Sequence, residues 1–236
     1  MGNVAAQYEA GACYALGKGV PQDLRVAAEY YRIAAEQGHV QAQFQLGVCY
    51  RRGLGVEQNE ELAIKYFKIA AENGERKAQF NLALSYEQGR GVPQDMRKAA
   101  KYYTLCADQG DVNAQYNLAL LYENGMGVPF DLKETARYYK LAAEQGFARA
   151  QYNIGICYVE GEGVPQDLHT GLHWIQQAAQ QEHLPAIVYL SEASLSGSLS
   201  AIGYTKDFIR AKKLHKEARA IYDAGEKVSP EIKAFL

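Results

Sequence analysis

The chain has 236 residues, 48% of them hydrophobic and 22% charged, with a formal net charge of -2. That balance is ordinary for a folded protein in water, and bulk charge argues against a nucleic-acid binder or a ligand of anionic membranes. No apolar run approaches the roughly 18 residues that span a bilayer. No basic segment followed by an apolar core opens the chain, as a leader would. The expectation is a cytoplasmic protein, an exported compartment staying open if a leader precedes residue 1.

In chain order, residues 3–38 read as two helices joined by GKGVPQD and closed by Gly38. The next unit, 39–74, shows the logic most clearly. Its first helix is expected over 39–52, with Ala42, Leu46, Cys49 and Tyr50 on one face at helical spacing. It stops at Gly53, since glycine readily takes the left-handed conformation after a helix end. The connector GLGVEQN then delivers Asn59 as N-cap of the second helix, and Gly74 ends the unit. Units 75–110, 111–146 and 147–182 repeat this with GRGVPQD, GMGVPFD and GEGVPQD. In the fourth, Asp131 and Glu134 are spaced as a capping box. A degenerate sixth unit is expected over 183–225. There Val188 replaces an aromatic, Glu192 enters an apolar position, and SGSLSAIGYTKD lengthens the connector. A capping helix from Ser229-Pro230 would then close the array over 226–236.

The register is strict. Ala6, Ala42, Ala78, Ala114, Ala150 and Ala186 stand 36 residues apart, as do Gly17, Gly53, Gly89, Gly125, Gly161 and Gly197. Tyr14, Tyr50, Tyr86, Tyr122 and Tyr158 keep the same step. A fixed period of this length signals a solenoid or array. The second helix, exemplified by 24–36, puts Leu24, Ala27, Ala28, Tyr31, Ala34 and Ala35 on one face, with Tyr30 and Ile33 widening it. Such an arc needs cover from more than one neighbour, so each unit must stack on the next. The fold class that follows is all-α: a right-handed α/α superhelical solenoid of about six 36-residue helix-turn-helix repeats, forming one domain over 1–236.

The segments AQFQLGVCYRRGLGV, AQYNLALLYENGMGVPFD and YYRIAAEQG resemble the Sel1-like repeat, a relative of the tetratricopeptide repeat, over roughly residues 3–182. The resemblance implies a non-catalytic scaffold or adaptor that holds a protein or peptide in a concave groove. It also admits a dedicated inhibitor of one effector, of the immunity type. A third reading is enzymatic, because a cysteine-rich branch of the family is linked to β-lactam hydrolysis. That branch staples each repeat with a disulfide. Here Cys13, Cys49 and Cys157 share one repeat position, and Cys106 stands where other repeats have alanine. They read as small buried thiols too far apart to pair.

No catalytic constellation, metal site or cofactor site is expected. The GxG pairs follow helices rather than strands and serve as turns. His169 and His173 are spaced for a metal but occupy solvated outer positions. Glu87, Glu123 and Glu160, near the ends of successive first helices, read as an exposed acidic row. Lys65, Lys68, Arg97, Lys101, Lys133, Arg137 and Lys140 read as a solvated outer face, not a nucleic-acid patch. A further cluster, Lys206, Arg210, Lys212, Lys213, Lys216 and Arg219, falls on an expected final helix.

One stripe is left over. Tyr8, Phe44, Phe80, Tyr116 and Tyr152 recur on the first helices, with Val48, Leu84, Leu120 and Ile156 one turn on. If the helices pair as in tetratricopeptide repeats, this stripe lines the inner wall. Arg51, Arg52, Glu87, Glu123, Arg149 and Glu160 vary beside it. An apolar floor with a variable polar rim is the anatomy of a protein-binding groove. The competing reading is that the aromatics merely pack between first helices. The expected partner is a protein or peptide, with neither nucleic acid nor membrane insertion; oligomeric state is left open.

Overall fold

A computed structural model describes residues 3–196 together with Lys216. It contains eleven helices of 13 residues each and, among the described residues, no strand. They are α1 (Val4–Leu16), α2 (Leu24–Glu36), α3 (Val40–Arg52), α4 (Glu60–Glu72), α5 (Arg76–Gln88), α6 (Met96–Asp108), α7 (Val112–Asn124), α8 (Leu132–Glu144), α9 (Ala148–Glu160), α10 (Leu168–Gln180) and α11 (Leu184–Ser196). Residues 197–207 of the expected long connector, the basic residues Lys206–Lys213 and Arg219, and the cap from Ser229 lie outside the described residues. The chain divides into two compact units, Met1–Leu121 with Gly125–Pro129, and Tyr122–Asn124 with the residues from Phe130 on.

In the first unit, α1 packs on α2, α3 on α4 and α5 on α6, and successive pairs meet through α2–α3 and α4–α5. In the second, α9 packs on α10, with α8–α9 and α10–α11 as the joints. Four helix pairs are riveted by stacked rings at the same offset. Tyr14 faces Tyr30 at 5.8 Å, Tyr50 faces Tyr66 at 5.8 Å and Tyr86 faces Tyr102 at 5.9 Å. In the second unit Tyr122 faces Tyr138 at 5.8 Å.

The connectors are as regular as the helices because they close helix ends. The last carbonyls of a helix have no partner inside it. After α3, the Leu54 N–H donates to the Cys49 carbonyl, the Asn59 N–H to the Tyr50 carbonyl, and Gln58 Nε2 to the Arg51 carbonyl. The Asn59 side chain then accepts from the Leu62 N–H to start α4. The same set recurs around Asp23, Asp95 and Asp167. At Asp131 the box expected with Glu134 is not reciprocal. The Asp131 N–H donates to the Tyr122 carbonyl, and the Glu134 carboxylate accepts from Arg137 at 2.7 Å instead.

The joints between repeats use a buried glutamine. Gln43, Gln79, Gln115 and Gln151 are each less than a tenth exposed. Each donates from Nε2 to the Ala35, Ala71, Ala107 or Ala143 carbonyl at 3.2–3.3 Å. Those carbonyls belong to the last turn of the preceding second helix and already accept the Gly38, Gly74, Gly110 or Gly146 N–H, so the next repeat adds a second donor to the cap. A second glutamine satisfies the amide oxygen of the first. Gln109 Nε2 reaches Gln79 Oε1 at 2.7 Å, Gln181 reaches Gln151 at 2.8 Å, and Gln37 reaches Gln7 at 2.6 Å. The second repeat has Asn73 at this place. One methylene shorter, its amide turns back to the Ile69 carbonyl at 2.8 Å. Gln43 Oε1 is the buried side-chain oxygen left without a protein partner among the described residues.

Two measurements probe this construction. Asn73→Gln supplies the missing donor and is expected to add about 1 kcal/mol, raising the apparent melting temperature by about 2–4 °C. No gain would mean that Gln43 is already satisfied. Gly19 and Gly55 occupy equivalent places with φ of +77° and +74°, but a Cβ on Gly19 meets open space whereas one on Gly55 collides with the Leu24 carbonyl of the preceding repeat. Gly19→Ala should cost about 1–2 kcal/mol from backbone strain alone. Gly55→Ala should lower the melting temperature by clearly more, and equal effects would show that this joint is not tight.

Candidate functional site

The stripe on the first helices is half-buried throughout. In the first unit, Tyr8, Phe44, Val48, Phe80, Leu84, Tyr116 and Leu120 all fall in that class. Each aromatic leans on a ring of its own repeat's second helix: Tyr8 on Tyr31, Phe44 on Phe67, and Phe80 edge-on to Tyr103, all at 5.8 Å. Tyr8 also stacks on His39, the N-cap of α3, at 4.6 Å. Phe44 and Val48 pack against a cluster that joins Ala63, Ile64 and Phe67 to Ala78 and Leu82 of the next first helix. These rings therefore bridge successive first helices and still keep part of their surface open.

The polar rim is less free than the spacing suggested. The position before the last residue of each first helix faces the middle of its own second helix, 16 residues on. In the third repeat Glu87, half-buried, accepts a hydrogen bond from the Tyr103 hydroxyl at 2.6 Å. In the second unit Glu123 accepts one from Tyr139 at 2.8 Å. Burial and the Glu87 carboxylate both push the Tyr103 hydroxyl far above the usual phenol range. Glu87 is thus drawn into its repeat, while Glu123 and Glu160 are exposed as an acidic row requires, although Glu160 sits one residue off the register of the other two.

The second repeat departs from this pattern. Arg51 takes the place of the glutamate and Phe67, which has no hydroxyl, that of the tyrosine. The guanidinium lies over the Phe67 ring at 4.6 Å, pairs with Glu60 at 3.3 Å, and donates to Asn81 Oδ1 at 2.9 Å and Ser85 Oγ at 2.6 Å. Its side chain is 12% exposed. Burial pulls its proton affinity down while Glu60 opposes that. Arg51 is consequently a strut between repeats two and three, whereas its neighbour Arg52 is exposed. Around them opens a recess of about 640 Å³ that brings together Arg51, Arg52 and Leu84 with Glu60, Asn81 and Arg90. Glu60, Asn81, Ser85 and Arg90 were not expected here. The available signal was that Arg51 and Ser85 leave the repeat pattern together.

In the second unit, Tyr152 is half-buried beside His183 at 5.5 Å, and Tyr152 and Ile156 pack on Leu172, Ile175 and Leu190. Burial and the positive charge of Arg149 push the His183 ring down to about 4. Arg149 and Glu160 are exposed. Burial raises the Cys49 thiol to about 11 and those of Cys106 and Cys157 to about 12, so none is a thiolate at neutral pH. All four cysteines are unpaired. His173 contacts the Gln177 amide at 2.7 Å, and among the described residues no three metal-ligating side chains converge. On the outer face Lys65, Lys101 and Arg137 lie over the rings of Tyr66, Tyr102 and Tyr138.

Comparison with known proteins fits this repeat geometry. The Sel1 repeat model matches residues 4–39, 40–75, 76–111, 112–147 and 148–183, the boundaries of the observed helix pairs. Among solved structures, a Sel1 repeat protein from Oxalobacter formigenes is 31% identical with a TM-score of 0.73, over 97% of this chain and 88% of that one. The protective antigen c5321 of uropathogenic Escherichia coli, which displays the same repeat fold, is 27% identical with a TM-score of 0.72. That match covers 94% of this chain but 54% of the antigen's, so the chain spans about half the antigen's length. No curated protein gives a significant match. Five consecutive matches in register, on helix pairs that stack as the motif requires, place this chain in the Sel1 repeat family.

Proposed function

We propose that the chain is a non-catalytic scaffold that binds a protein or peptide segment along the stripe of its first helices. The observation that carries this reading is the state of that stripe. Aromatic and aliphatic side chains at every repeat keep open surface that the array itself does not cover. Beside them the rim residues change in charge from repeat to repeat, Arg52, Gln88, Asn124 and Glu160 following one another at one position. An apolar strip gives affinity to many segments, and a rim that varies gives preference for one. In the first unit the strip runs over Tyr8, Phe44, Phe80 and Tyr116 with Val48, Leu84 and Leu120. In the second, Tyr152 and Ile156 continue the pattern beside Arg149, Glu123 and Glu160. Among the described residues no helix is long and apolar enough to cross a membrane.

The test is capture from the native host. Phe80→Leu with Tyr116→Leu keeps apolar volume on the core side while removing the aromatic faces. Recovery of the partner should fall at least about tenfold, a modest share of what anchor residues contribute. The circular dichroism spectrum and melting curve should be retained. Lys65→Glu with Lys101→Glu, on the outer face, should leave recovery unchanged. Full recovery by the stripe variant, or loss through the outer one, would overturn the reading. Arg51 is unsuitable for this purpose. Arg51→Glu sets a carboxylate against Glu60 and strands Asn81 and Ser85, and it should lower stability by roughly 2–4 kcal/mol. A melting temperature within a degree of wild type would contradict the strut.

A further inference from the structure

The recess at the end of α3 differs in charge from the rest of the strip. Three guanidiniums, Arg51, Arg52 and Arg90, face one carboxylate, Glu60, and that carboxylate is held by Arg51 at 3.3 Å. Arg52 and Arg90 are exposed and make no ion pair among the described residues. The charge of Arg90 reaches Arg51 and, after burial, helps to lower the proton affinity of its guanidinium. Leu84 supplies an apolar patch of the wall and Gln88 an amide group, while the Asn81 amide is engaged by Arg51 and the Lys77 carbonyl.

The flanking repeats of the first unit do not reproduce this set of cations. Where Arg51 and Arg52 stand, the first repeat has Ala15 and Leu16 and the third has Glu87 and Gln88. At the position of Arg90 the second repeat has Leu54. A nucleic-acid strand, with a phosphate every few ångströms, finds no succession of cations and meets Glu87 in the next repeat. A single carboxylate finds two free guanidiniums with fork geometry suited to it, plus an amide for the adjoining peptide bond.

We propose that this recess is a carboxylate-accepting subsite for the partner segment: Arg52 and Arg90 bind an acidic side chain or a chain-terminal carboxylate, and Leu84 packs against the aliphatic carbons that carry it. Arg51, fixed by Asn81, Ser85 and Glu60, contributes field rather than a contact. The proposal rests on the first-helix stripe being the binding face, which it deepens by naming the partner's chemistry there.

The probes are acetyl-tetraglutamate amide, which offers only side-chain carboxylates, and acetyl-tetraalanine, which offers only a terminal one. Titrated at low ionic strength, at least one should bind wild-type protein, and the one that does identifies the source of the carboxylate. Arg52→Ala with Arg90→Ala alters two exposed side chains and should keep the melting curve while weakening that probe at least about tenfold. Added salt should weaken it too. Binding of neither probe, equal binding by the double variant, or equally tight binding of a short oligothymidylate would overturn the proposal. The outcome separates from that of the stripe itself. If Phe80→Leu with Tyr116→Leu still captures the native partner while the probe needs Arg52 and Arg90, the stripe reading fails and the recess stands. If the stripe variant loses the partner but the double arginine variant binds the probe as wild type does, the recess fails.

Discussion

The last carbonyls of each second helix need partners, and in this chain one of them takes a glycine N–H from its own repeat and a second donor from the following one. The Ala35, Ala71, Ala107 and Ala143 carbonyls each receive a glutamine amide eight residues further on. Without the next first helix, each of these carbonyls would keep the glycine N–H of its own repeat but lose its second donor, and the alanine-rich face would be uncovered. Hydrophobic stacking alone would tolerate sliding between smooth alanine surfaces. A directed hydrogen bond in a dry joint does not, so the ladder fixes the register of each repeat on its neighbour. Regular placement of the stripe residues depends on that register.

A second constraint acts inside the repeat, at the pair of positions 16 residues apart where the end of the first helix meets the middle of the second. Their occupants match in kind: Glu87 with Tyr103, Glu123 with Tyr139, Arg51 with Phe67, and Val159 with Ile175. The physical reason is satisfaction. A carboxylate at a half-buried place needs a donor and finds a phenol. A guanidinium accepts nothing, so a phenol oxygen is replaced by a bare ring face, with Glu60, Asn81 and Ser85 taking the guanidinium protons. In the fifth repeat neither charge is present and two aliphatic side chains meet, while the first repeat pairs Ala15 with Tyr31 and stands outside the rule. The arginine of the second repeat is one solution to this rule, and it obliged the third repeat to put Ser85 where its neighbours carry Cys49 and Leu121.

This explains what could be read from the residues and what could not. Helix ends and connectors were legible because they rest on local rules: a left-handed glycine at Gly53, an N-cap at Asn59, an apolar face at helical spacing. The joints were not, because buried polar groups leave no trace in a hydrophobic pattern, and Gln43 or Gln79 looks like any surface glutamine. Arg51 was taken for a rim residue since its partners lie 30 and 34 residues away, in the next repeat. The hydrogen bonds of Glu87 and Glu123 are invisible in the spacing because their partners are tyrosines, a residue type that reads as core. The half-buried state of Phe44 and Phe80 lies between the two readings the spacing allowed. They pack between first helices, as a purely structural role requires, and they keep open surface, as a binding strip requires.

A perfectly periodic surface offers a ligand the same contacts every 36 residues and therefore no preferred register. Recognition needs places where the period is broken without breaking the stack. The ladder and the pair rule confine such breaks, since most positions answer to a neighbour in this repeat or the next. What escapes is a small set on the exposed edge of each first helix, and there the residues do diverge, from Leu16 to Arg52 to Gln88. The strut at Arg51 makes one such break permanent by anchoring a charge in the stack and leaving Arg52 beside it unpaired. Specificity in this protein is accordingly expected at the departures from the repeat, while the repeated residues hold those departures at fixed spacing.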